Sequence, residues 1–90
     1  VLQAVEAAGQ EALAAGVHAG LLACAAAMSD WPAFDAHLRH TTALHHKSRS
    51  ADADDARSIE LAAELALAQG EATRAAAARS LATILWKILG

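Results

Sequence analysis

The chain has 90 residues, of which 27 are alanine and twelve are leucine, whereas valine and isoleucine together number only six. Because strands depend on β-branched and aromatic residues, this composition excludes a β sandwich or a parallel sheet, and the length allows at most one compact domain. The formal net charge is −3, and no stretch gathers enough Lys and Arg for nucleic-acid binding.

The first half of the sequence predicts three helices. The first covers about residues 1–15 and ends at Gly16, and the second covers about residues 17–28. The third begins in the segment Ser29-Asp30-Trp31-Pro32, where serine or aspartate can cap the helix and proline is tolerated in the first turn. It continues to about residue 47.

The second half predicts one polar loop and two further helices. The loop covers about residues 48–54, which are rich in capping residue types. Helix four covers about residues 54–69 and ends at Gly70, since glycine tolerates the left-handed conformation that closes many helices. Helix five covers about residues 71–89.

The five predicted helices alternate in character. The second and fourth are apolar almost all round, whereas the third and fifth keep a polar face. A helix that is contacted on several sides loses its polar face, so the alternation predicts inner and outer helices in a stack of helix pairs. The polar residues expected to face away from the core are Asp35, Arg39, Thr42, Arg74, Ser80, Thr83 and Lys87.

An internal repeat supports the stack. Ser29-Asp30-Trp31 and Gly70-Glu71-Ala72 each follow an alanine-rich helix and precede another helix, and the two turns lie 41 residues apart. Ala75 and Ala82 follow the second turn, and Phe34 and Thr41 occupy the equivalent places after the first.

These residues resemble tetratricopeptide-type (TPR) repeats, in the divergent form appended to large bacterial signalling ATPases and serine/threonine kinases. The likeness covers residues 17–90, with residues 17–47 as a first helix pair, residues 54–89 as a second and residues 1–15 as a helix of a preceding unit. The segments that carry it are Asp30-Trp31, Phe34–Leu38, Asp52–Ala56, Glu60–Leu65, Gly70-Glu71, Arg74-Ala75, Ala78 and Trp86–Gly90.

The resemblance implies an all-α domain of stacked antiparallel helix pairs. It also implies a non-catalytic protein-interaction or scaffolding function, without a cofactor, within a longer cytoplasmic protein. Arg57, Glu60 and Glu64 follow one edge of helix four and would line the concave surface, where such repeats hold peptides. Their charge favours a basic or apolar ligand. A solvated stripe with an Arg57–Glu60 ion pair explains the same spacing equally well.

The histidines suggest two kinds of chemistry. His37 and His40 are three residues apart and could share a helix face, but further metal ligands at a suitable spacing are missing from the sequence, so we expect solvated side chains. The alternative to an interaction module is a four-helix phosphotransfer bundle that relays phosphate through His40 or His45. An independent enzyme is not expected, because the sequence offers no nucleophile–base pair, glycine-rich phosphate loop or metal set.

The remaining notable residues are predicted to be structural. Cys24 is the single cysteine, which is typical of a cytosolic protein, and we expect it to be buried as a small apolar residue. Trp31 and Trp86 are expected to pack against the core. If the chain is a fragment of a longer protein, Leu85, Trp86 and Leu89 would face a missing next repeat and would leave an apolar surface on helix five that favours self-association. The uncharged residues 12–29 are too weakly hydrophobic for a membrane span, so no membrane partner is expected.

Overall fold

The computed structural model describes residues 2–48 and 52–90 of the chain. These residues form four helices and contain no strand, which confirms the all-α class that the composition predicts. Residues 49–51, the centre of the predicted polar loop, lie outside the described residues. The helices are α1 (Leu2–Ala27), α2 (Trp31–Ser48), α3 (Ala53–Ala68) and α4 (Ala72–Leu89).

The predicted helix break at Gly16 is wrong. Helix α1 continues from Leu2 to Ala27, so the described residues form four helices where five were predicted. A glycine inside a helix costs only about 1 kcal/mol, which alanine-rich flanks and tertiary packing readily offset. Gly16 also serves the packing: a Cβ at this position would lie 3.3 Å from Oδ1 of Asp55 on α3.

The two predicted turns share one backbone pattern. In the first, the amide of Ser29 donates to the carbonyl of Ala26 and the amide of Asp30 donates to that of Ala25. In the second, the same two bonds recur 41 residues later, from Gly70 and Glu71 to the last turn of α3. Both are Schellman motifs, in which the residue after the helix takes a positive φ. That residue is Ser29 in one (φ 58°) and Gly70 in the other (φ 81°).

The helices form two antiparallel pairs that lie side by side. Helix α1 packs against both α2 and α3, and α3 packs against both α1 and α4, whereas α2 and α4 touch only slightly. The apolar helices therefore have two neighbours each, as their composition predicts. The amide Nε2 of Gln69 donates to the carbonyl of Ala26 at 2.7 Å and ties the ends of α1 and α3 together.

The core between the helices is built largely from alanine. Its largest fully buried apolar side chains are Phe34, Leu22, Ile59 and Leu85, and Trp31 and Trp86 pack against it from the side, as expected. Alanines let the helices approach closely, but each removes little apolar surface from water. Stability therefore depends on a few large side chains. The buried alanines are Ala19, Ala25, Ala26, Ala56, Ala62, Ala63, Ala66, Ala75, Ala78 and Ala82.

Two predicted positions differ from the structure. Cys24 is exposed and not buried, because it lies on the face of α1 that points away from α2 and α3, together with exposed Val17 and Leu21. The expected apolar patch on α4 also changes, since Leu85 is fully buried. The large exposed apolar residues on α4 are Ile84, Ile88 and Leu89. In the described part of the chain, no helix combines the length and hydrophobicity needed to cross a membrane.

Candidate functional site

The three residues predicted to bind a partner do not share one site. Arg57 is exposed, and its Nη1 lies 3.5 Å from Oδ1 of Asp54, so it pairs with this neighbour and not with Glu60. Glu60 instead accepts a hydrogen bond from the indole Nε1 of Trp86 on α4. Glu60 and Glu64 line a shallow depression between α3 and α4, and Arg57 is not part of it.

The structure brings three histidines together between α1 and α2. The Nδ1 atoms of His18 and His37 lie 3.0 Å apart, and the ring of His40 stacks on that of His18 with centroids 5.0 Å apart. Burial, together with the neighbouring charges of His37 and His40, lowers the pKa of His18. The sequence spacing indicates only the pair His37 and His40 on α2. His18 lies on α1, and only the tertiary structure brings it into contact with them.

This cluster does not make a metal centre as it stands. The lone pairs of the histidine nitrogens lie in the plane of the ring. Because the rings of His18 and His40 are stacked, these lone pairs do not converge on one metal ion. Over the described residues, no group of three or more His, Cys, Asp or Glu side chains is placed to hold a metal ion.

His45 lies apart from the cluster of His18, His37 and His40, on the part of α2 that contacts α3 and α4. Its side chain is only 4% exposed, and its Nε2 lies 3.7 Å from Oδ2 of Asp55 on α3. Burial and the neighbouring carboxylates of Asp52 and Asp54 raise the pKa of Asp55, although His45 acts in the opposite direction. A phosphate relay needs an accessible imidazole, which this position does not offer.

Arg74 and Asp35 join the N-terminal ends of α2 and α4. Arg74 donates from Nε and Nη2 to the two carboxylate oxygens of Asp35, both at 2.8 Å, and from Nη1 to Glu71 at 2.8 Å. The guanidinium also lies over the ring of Trp31. These hydrogen bonds hold the pKa of Asp35 below its usual range. Asp35 and Arg74, which the sequence predicts to face away from the core, contact each other and are each only partly exposed.

A groove opens between α2 and α4 further along the two helices. Ile84 and Ile88 are 53% and 47% exposed there. The α2 side chains opposite these isoleucines are polar, and α2 and α4 make little contact with each other. We call this surface the α2–α4 groove. It is lined by Thr42, His45, His46, Leu81, Ile84 and Ile88, and it continues on α2 along Leu38, Arg39 and Ala43.

Comparisons with protein families, curated proteins and solved structures found no match to this chain. The α2–α4 groove offers exposed isoleucines beside polar and basic side chains, a combination suited to binding another polypeptide.

Proposed function

We propose that the chain is a non-catalytic protein-interaction module, a scaffolding segment of a larger bacterial signalling protein built from TPR-like helix pairs. The repeated turn, with the same hydrogen bonds 41 residues apart, supports the repeat. The packing of α1 against α3, with α2 and α4 each on the outer side of its own pair, supports the stack. The observation that carries the function is the open α2–α4 groove.

The groove has the chemistry of a helix-binding surface. Leu81, Ile84 and Ile88 recur at intervals of three and four residues, so they lie along one face of α4. A partner helix that packs against this ridge buries the exposed halves of two isoleucines. Burying a whole isoleucine side chain is worth about 1.5–3 kcal/mol, so each of these half-exposed residues contributes about 1 kcal/mol.

The depression of Glu60 and Glu64 is the second proposed contact surface. Its carboxylates fit a basic or apolar ligand, as the sequence predicts. Glu60 is already bonded to Trp86, and Arg79 lies in the same depression and supplies the opposite charge. Fewer groups are left to recognise a ligand here, which favours the α2–α4 groove as the main site.

Selection from a random peptide display library tests the proposal. The target is the whole chain, and the comparison is the double variant Ile84→Ser/Ile88→Ser. We expect enriched peptides with apolar residues at helical spacing, and at least a tenfold loss of binding to the double variant. Leu61→Ser is the matched control, because Leu61 is a similarly exposed apolar residue on α3, outside the groove.

Two results would contradict the proposal. One is the absence of any enriched sequence pattern. The other is equal binding of the selected peptides to the wild-type chain and to the double variant, with circular dichroism showing that both are folded.

A further inference from the structure

We infer that the partner of the α2–α4 groove is an amphipathic helix with an acidic polar face. This inference rests on the proposed function and adds the chemistry of the partner to it. It follows from the distribution of charge between the two layers of the molecule, which the overall net charge of −3 conceals.

The charges of the chain separate by layer. Helices α2 and α4 together carry five Lys or Arg residues and one acidic residue, a net charge of +4. Helices α1 and α3 carry six acidic residues and one arginine, a net charge of −5. The groove lies in the positive layer. The cationic residues of that layer are Arg39, Lys47, Arg74, Arg79 and Lys87.

The basic character also holds at the groove itself. Arg39 lines the α2 side of the groove, and Lys87 is exposed on α4 next to Ile88 in the sequence, although it is not one of the residues that line the groove. No acidic side chain is among the described residues that line it. The carboxylate of Asp35 on α2 and that of Glu71, which caps α4, both accept hydrogen bonds from Arg74. An apolar floor with a cationic edge and no unpaired acid attracts a negatively charged helix and disfavours a basic one.

The apolar spacing determines the form of the partner. Leu81 and Ile88 are seven residues apart, which corresponds to two helical turns, about 10 Å along α4. A helix can lay a ridge of its own side chains along such a row, with its acidic residues turned towards Arg39 and Lys87. An extended peptide would meet the row with every second side chain and would leave its backbone groups unpaired.

Two synthetic amphipathic peptides test the inference. They share one leucine pattern at helical spacing and differ only in their polar positions, which are glutamate in one and lysine in the other. Fluorescence anisotropy measures binding to the wild-type chain, to Arg39→Gln/Lys87→Gln and to Ile84→Ser/Ile88→Ser. Arg57→Gln on α3 is the matched charge control, because Arg57 is exposed and lies outside the groove.

We expect the glutamate peptide to bind at least tenfold more tightly than the lysine peptide. Arg39→Gln/Lys87→Gln should weaken its binding by about three- to tenfold, Arg57→Gln should not, and 0.5 M salt should reduce the preference. Equal or tighter binding of the lysine peptide would overturn the acidic partner. If that binding is lost in Ile84→Ser/Ile88→Ser, the proposed function still stands.

Two further results would overturn the inference in other ways. If neither peptide binds, both the acidic partner and the groove as an interaction site are wrong. If sedimentation shows that the chain dimerises and that Ile84→Ser/Ile88→Ser makes it monomeric, the occupant of the groove is a second copy.

Discussion

The two helix pairs share one backbone plan but fill it differently. In both, a Schellman turn with the same two hydrogen bonds connects the helices, at a spacing of 41 residues. The buried positions after the turn also correspond, since Phe34 and Thr41 in α2 match Ala75 and Ala82 in α4. One pair thus places a large ring and a hydroxyl where the other places two methyl groups.

The two pairs therefore share the backbone of the turn and the packing of the helices. The buried side chains that stabilise each pair differ. The large fully buried apolar side chains of the pair α1–α2 are Phe34 and Leu22, and a cluster of histidines lies between its helices. The pair α3–α4 spreads its buried surface over Ile59, Leu81 and Leu85. Core truncations, turn substitutions and a change of pH should each affect the two pairs differently.

Truncation of Phe34 should have the largest effect on the free energy of unfolding. Phe34 is fully buried, and Phe34→Ala should lower the free energy of unfolding by about 3–5 kcal/mol, because it removes the ring and leaves a cavity among small alanines. The total stability of a small domain is about 5–15 kcal/mol, so this variant comes close to unfolding. Urea titration followed by circular dichroism measures the loss.

Leu81→Ala in the other pair is the control. Leu81 lies at the edge of the groove and is slightly exposed, so the surroundings can relax, and its loss should cost about 2–3 kcal/mol. If Leu81→Ala costs as much as Phe34→Ala, the first pair depends no more on its buried phenylalanine than the second pair depends on Leu81, and the contrast between the pairs is not real.

Local signals in the sequence predict much of this architecture. Ser29 to Pro32 and Gly70 locate both turns, because capping and left-handed backbone preferences act within a few residues. The same local preferences wrongly predict a helix break at Gly16. The cost of a glycine inside the helix is smaller than the stability gained from packing α1 beside Asp55. Contacts between distant residues give no such signal. The His18–His37 contact and the Arg74–Asp35 ion pair join residues 19 and 39 positions apart, so only the tertiary structure reveals them.

The two turns should respond in opposite directions to substitution. Ser29 pays the cost of a left-handed conformation that glycine adopts freely, so Ser29→Gly should stabilise the chain by about 0.5–1 kcal/mol. The loss of its exposed hydrogen bond to Gln69 takes away part of this gain. Gly70→Ala imposes the same cost on the other turn and should destabilise the chain by about 1 kcal/mol. Thermal and urea unfolding measure the expected gain of stability in Ser29→Gly and the expected loss in Gly70→Ala.

Gly20→Ala serves as the control for the turn variants. Gly20 lies inside α1, and a Cβ there would meet nothing within 4 Å, so the substitution should stabilise the chain by up to about 1 kcal/mol. Destabilisation by Ser29→Gly would show that the hydrogen bond to Gln69 outweighs the backbone cost, and that the first turn is held together by its side chains.

The smallest expected effect is a pH dependence confined to the pair α1–α2. The pKa of His18 is lowered in the folded chain from 6.5, by burial and by His37 and His40, so the unfolded chain binds the proton more readily. Stability from this group is complete above pH 6.5 and is lost as the pH falls through the folded pKa. His18 is partly solvated, which keeps the effect small. Urea titrations at pH 7.5, 6.5 and 5.5 should show this fall.

The substitution His18→Gln tests whether the cluster is the cause, because it removes the titrating group and keeps a polar side chain. We expect a flatter pH dependence of the unfolding free energy in this variant. Hydrogen exchange, corrected for intrinsic rates, should show faster exchange at pH 5.5 in α1 and α2 of the wild-type chain than in α3 and α4. Described positions in α3 and α4 contain no histidine. An equal acceleration in all four helices would place the pH response outside the histidine cluster and would remove this difference between the two pairs.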